Sequence, residues 1–206
     1  MNKAKLIRSC GIFCIVAVLT GIVWTVINFV YPNSTGSTAT NYFVVLHPLL
    51  HRFEHAVCAL LLFPGLFAAL LGYYFSGAIG NGWFGKILLA LAATGALMAT
   101  AGSLIEAIVL QWETADAIRG FGFSVILLLL CPLLFGIAAL IYRKIVLWKR
   151  ILPLLLPVLF FSSFWVIFAV FKMNENLAVA ATFAGRLIFG YAVYSEGLRA
   201  EEETFV

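Results

Sequence analysis

His47-Pro48-Leu49-Leu50-His51-Arg52-Phe53-Glu54-His55-Ala56-Val57-Cys58 runs without a break into the apolar residues 59–75, and it holds all three histidines of the chain. Placed on a helix, His47, His51, Glu54, His55 and Cys58 fall at i, i+4, i+7, i+8 and i+11 and share one face, which Gly65, Ala69 and Gly72 continue. Unpaired polar groups in hydrocarbon cost several kcal/mol, so this face is expected to look into the protein and not at lipid. A helix over 47–75 would be about 43 Å long against a hydrocarbon core of about 30 Å, so its first turns are expected to stand in the outer interface. Pro64-Gly65 predicts a kink midway, with a freed carbonyl that a neighbouring helix must satisfy.

The rest of the chain has the same character. Hydrophobic residues make up 64 % of the 206 residues, charged residues 11 %, and the mean hydropathy is +1.07. These values lie well outside the balance of soluble domains. The expectation is a single membrane domain over 1–206, all-α and polytopic. Its bundle of six transmembrane helices would cover about 11–30, 47–75, 85–110, 121–142, 152–171 and 177–194. The basic start followed by residues 11–30 is too long for a signal peptide and reads as a retained span. Cys131-Pro132 predicts a second kink, Pro153 and Pro157 fall near the start of the fifth helix, and Glu201, Glu202 and Glu203 read as a mobile tail.

Charge sets the expected orientation. With the N-terminus in the cytoplasm, Lys3, Lys5, Arg8, Lys86, Arg143, Lys144, Lys149, Arg150 and Arg199 fall on the cytoplasmic side, nine of the thirteen basic residues. Only Arg52, Arg119 and Lys172 fall outside, and Arg186 lies within a span. The positive-inside rule then predicts both termini in the cytoplasm and a cell-membrane location. Basic residues scattered at span ends do not form the patch that nucleic acid requires, so the expected partners are the lipid bilayer and a small solute. Cys10, Cys14, Cys58 and Cys131 all fall in or beside spans and read as apolar fillers, not as disulfides.

In the third helix, Gly95, Ala99, Gly102, Ser103 and Glu106 recur at i, i+4, i+7, i+8 and i+11, a small-residue face that lets helices approach and also allows homo-oligomers. Residues 89–96 and 177–184 match at six of eight positions, but the match is short and alanine-rich, so coincidence explains it better than an inverted repeat. Glu106 and Arg186 are ionisable groups within spans, where such residues are costly and mark ion or substrate pathways. Glu54, His55, Glu106 and Arg186 are expected to converge on one polar cavity open to the outside. There His55, Glu54 and Glu106 would exchange protons and Arg186 would hold an anionic group.

Three classes of function follow. The first is a small permease or proton-linked transporter using that cavity. The second is a metal-dependent membrane-embedded enzyme, with zinc held by His51, His55 and Glu106. The third is a non-catalytic accessory or assembly protein working through its small-residue faces. No catalytic residue set is legible: the chain lacks His-Glu-x-x-His, Gly-x-Ser-x-Gly, a phosphate-binding glycine loop and Cys-x-x-Cys. Histidines on one helix only do not suit bis-histidine haem, and no cofactor is expected beyond the zinc of the second class.

Overall fold

In an apolar surrounding every backbone N–H and C=O must be satisfied within the chain, which favours helices. A computed structural model describes residues 2–30, 52–53, 56–80, 82–109, 113–163 and 175–203, and among these residues the chain is all-helical, without a strand. Helix α1 is Lys3–Val30; a π-helical segment, Cys58–Leu62, leads into α2, Phe63–Phe75; α3 is Trp83–Val109 and α4 Glu113–Gly120. A second π-helical segment, Phe121–Leu130, leads into α5, Cys131–Tyr142, followed by α6, Leu147–Ser163, and α7, Glu175–Glu202. Among the described residues, four stretches are long and apolar enough to cross a membrane: Lys3–Val23, Cys58–Phe75, Trp83–Ile108 and Ala117–Tyr142.

Several boundaries differ from expectation. α1 starts at Lys3 and not near residue 11, because the Asn2 side chain accepts a hydrogen bond from the Ala4 N–H at 3.3 Å and caps the first turn. The predicted connection 111–119 is helical from Glu113. α7 runs on to Glu202, past the expected end at 194, and Glu201 is held 3.0 Å from Arg8 instead of belonging to a loose tail.

Prolines shape the helices through the donors they lack. Both π segments end two residues before a proline: the Phe63 N–H bonds back to the Cys58 carbonyl, ahead of Pro64, and the Cys131 N–H to the Ile126 carbonyl, ahead of Pro132. Continuing the same register, Pro64 would have bonded to the Ala59 carbonyl but has no N–H. Thr100 Oγ1 of α3 donates to that carbonyl instead, at 3.4 Å. Around both breaks the sequence is alike, Leu61-Leu62-Phe63-Pro64-Gly65-Leu66-Phe67 and Leu129-Leu130-Cys131-Pro132-Leu133-Leu134-Phe135.

The same logic extends α6. It begins at Leu147 and not near 152, which places Pro153 and Pro157 in its interior. Pro153 deprives the Lys149 carbonyl of its helical donor, and Tyr73 Oη donates to that oxygen at 2.9 Å. Tyr73 is buried at the meeting of α2, α5 and α7, with Phe189 and Phe135 rings at 5.4 and 6.4 Å. Tyr73→Phe keeps the ring but leaves a buried carbonyl without a donor, so thermal unfolding in detergent should report a loss of about 1–3 kcal/mol.

Glycines set the helix approaches. A Cβ on Gly11 would lie 2.5 Å from the Tyr194 nitrogen, one on Gly197 2.6 Å from the Arg8 nitrogen, and one on Gly72 2.5 Å from Val193 and 2.8 Å from Cys10. These contacts pair the start of α1 with the end of both α7 and α2, so α1 runs antiparallel to each. The 77–80 turn lies against Tyr142 and Lys144, and Lys149 reaches Glu196. The nine basic residues assigned above to one side therefore gather at one end of the bundle. No disulfide joins the four cysteines, and Cys10, Cys14 and Cys131 are buried in the core.

Candidate functional site

Phe183, Arg186, Phe189, Gly190 and Val193 recur on one face of α7, turned towards α1 and α2. The face is shaped for close approach: a Cβ on Gly190 would meet Cys14, and the Phe183 ring occupies the space that a side chain on Gly21 would need. Arg186 is 4 % exposed, so protein atoms screen it from lipid as well as from water. It lies about 15 Å along the helix from Glu196 at the basic end, which is roughly half the hydrocarbon thickness.

The guanidinium carbon of Arg186 sits 4.9 Å from the centre of the Phe183 ring and 5.5 Å from that of Phe123. Phe123 in turn packs 5.1 Å from Phe63 of α2. Two phenyl rings thus face the cation, and a third, Phe63, packs on one of them. Arg186 Nη1 is buried without a hydrogen-bond partner, and no carboxylate among the described residues forms an ion pair with Arg186. A cation–π contact is worth about 0.5–2 kcal/mol, whereas taking a charge out of water costs several. The rings offset part of that cost and leave Nη1 without an acceptor among the described residues.

Glu106 has a different setting. Its carboxylate lies 2.6 Å from Arg119 Nη1, with the two side chains 13 % and 25 % exposed. Helix α4 explains the pairing: by continuing through Glu113–Gly120 it turns Arg119, expected in an outer connection, back against α3, and a Cβ on Gly102 would touch the Arg119 nitrogen at 2.7 Å. Arg119 and Phe123 are four residues apart on one helical face, so the Glu106–Arg119 pair is one turn from the ring that Arg186 faces. No ion pair joins Glu106 to Arg186. Ser103, one turn before Glu106, is wholly buried, and its Oγ has no hydrogen-bond partner among the described residues.

His51, Glu54 and His55 lie outside the described residues, as does His47. Among the described residues no group of three His, Cys, Asp or Glu side chains is placed to hold a metal ion. Glu106, the third ligand of the zinc reading, faces a cation that competes with any metal for its charge.

No family model, curated protein or solved structure matches the chain. Its function has to be read from its own residues.

One constellation escaped the reading of the sequence. Lys149 Nζ lies 2.7 Å from Glu196 Oε1, with both residues buried, and Arg199 takes the other Glu196 oxygen at 2.9 Å. The signal was present: Glu196 follows the apolar residues 187–194 after a single serine and precedes Arg199 by one turn.

Proposed function

We propose that the chain is a six-helix bundle of the cell membrane with both termini in the cytoplasm, and that it works as a permease for a small anionic solute held by Arg186. The observation that carries this reading is a guanidinium at mid-depth, buried, with one nitrogen unpartnered among the described residues and two phenyl rings beside it. Ionisable residues in spans mark solute and ion pathways, and a lone buried cation is stabilised when an incoming anion supplies the missing charge. The collection of nine basic residues at one end of the bundle supports a cytoplasmic assignment for that end. Proton coupling through Glu54 and His55 belongs to the same proposal.

Two observations rank the alternatives lower. The Glu106–Arg119 pair draws Glu106 away from the metal enzyme. The Gly95, Ala99 and Gly102 face, which an assembly protein would turn to a partner, is occupied by α4 and the second π segment of the chain itself.

The test uses reconstituted vesicles with radiolabelled chloride, phosphate and pyruvate as probes, and single introduced cysteines at Thr114 and Ser195 to fix orientation. Uptake of at least one anion is expected, lost in Arg186→Gln, and in intact cells an impermeant reagent should reach position 114 but not 195. Uptake unchanged by Arg186→Gln, or no uptake of any probe, would contradict the permease; labelling at 195 would reverse the orientation.

A further inference from the structure

Resting on the anion-permease reading, we propose that the solute is a monocarboxylate with an apolar body, its carboxylate on the edge of the Arg186 guanidinium and its body against Phe63, Phe123 and Phe183. Charge sets the first limit. One guanidinium, with no second cation paired to it, balances one negative charge, and a dianion would carry an uncompensated charge into a surrounding of phenyl rings. Hydrogen bonding sets the second. A guanidinium carries five N–H donors in a planar fork, and a carboxylate accepts two of them side by side, whereas a spherical halide cannot match the fork.

The walls set the third limit. Phe63, Phe123 and Phe183 come from α2, the second π segment and α7, and the packing of Phe123 on Phe63 extends the aromatic surroundings away from Arg186. A small hydrophilic anion would lose its hydration there without regaining contacts. An aryl or alkyl body gains burial and ring contacts as it desolvates. The region also contains the break at Cys58–Leu62, one residue before Phe63, where helix geometry departs from the α form as it often does at functional sites.

Equilibrium binding and thermal unfolding of the purified protein in lipid nanodiscs test this, with benzoate, benzyl alcohol, inorganic phosphate and chloride as probes. Benzoate should bind and raise the unfolding temperature, with benzyl alcohol, phosphate and chloride each weaker by roughly tenfold or more. Phe123→Leu should weaken benzoate by about threefold to tenfold. Arg186→Lys keeps the charge without the fork and should weaken benzoate by about tenfold or more while leaving the unfolding temperature of the ligand-free protein close to that of the parent. Phosphate or chloride binding as tightly as benzoate, and weakened by Arg186→Lys, would overturn the carboxylate class and leave the anion site standing. Benzyl alcohol equal to benzoate would show an apolar pocket and overturn the class as well. No anion sensitive to Arg186→Lys would overturn both the class and the permease reading beneath it.

Discussion

Glu196→Leu is expected to destabilise the bundle by about 3–5 kcal/mol, because it strands a buried ammonium. Lys149 Nζ lies 2.7 Å from Glu196 Oε1, and the two side chains are 10 % and 3 % exposed, so little solvent remains to screen what is left behind. The pair joins the first turn of α6 to the last turns of α7. Beside it the Lys149 carbonyl, freed by Pro153, takes the Tyr73 hydroxyl, so one residue ties α2, α6 and α7 together at the basic end. Replacing both partners, Lys149→Met with Glu196→Leu, should recover most of the loss, since an apolar pair of similar volume carries no desolvation cost. Arg199 keeps a partner in that double variant, because Glu203 lies 3.5 Å from its Nε. Thermal unfolding of the four proteins of the cycle measures the coupling. A double variant no more stable than the worse single variant would show that the cluster acts through packing and not through charge.

Gly122→Val should be nearly as damaging, by about 3 kcal/mol at the upper end of overpacking effects, and should also weaken anion binding. A Cβ there would lie 2.7 Å from the Gly95 carbonyl oxygen and 2.8 Å from the Ala99 nitrogen, so relief requires the two helices to separate. Phe123 is the next residue, and moving its backbone draws the ring away from Arg186. Gly95→Ala should be milder, since its nearest contact, at 2.5 Å, is the Ile126 side chain, though the Gly122 carbonyl stands behind it at 3.1 Å. Gly82→Ala is the control, with nothing within 4 Å of the added carbon and an expected change of no more than about 0.5 kcal/mol. Unfolding temperature and benzoate affinity should fall together for Gly122→Val. A normal affinity in a destabilised variant would separate the helix contact from the site.

Helical class was legible because hydropathy follows directly from composition, and so was the collection of basic residues at one end, since charge at span ends needs no knowledge of packing. The breaks at Pro64 and Pro132 were legible for a similar reason: a missing N–H is a property of the residue alone. What relieves the carbonyls freed by Pro64 and Pro153 was not, because Thr100 and Tyr73 reach them only once α3 and α2 have been placed beside them. Periodicity named the small-residue face ending in Glu106 but not its neighbour. Arg119 answers Glu106 because α4 continues the helix where turn-forming polar residues were read as a connection. The cost of a charge in a span led to the expectation that Arg186 faces a polar cavity inside the protein, whereas its phenyl surroundings combine residues 60 and 120 positions apart in the chain. Glu196 was overlooked because a carboxylate after an apolar run looks like the start of an exposed tail until Lys149 is seen against it.

The most direct test of Arg186 as an anion receptor is an experimental structure of the protein with 4-bromobenzoate, located by the anomalous signal of bromine. The account predicts the carboxylate at about 2.8 Å from Arg186 nitrogens in the plane of the guanidinium, with the bromine among Phe63, Phe123 and Phe183. A carboxylate of the protein itself occupying the Arg186 edge, with the bromine signal elsewhere or absent, would contradict it.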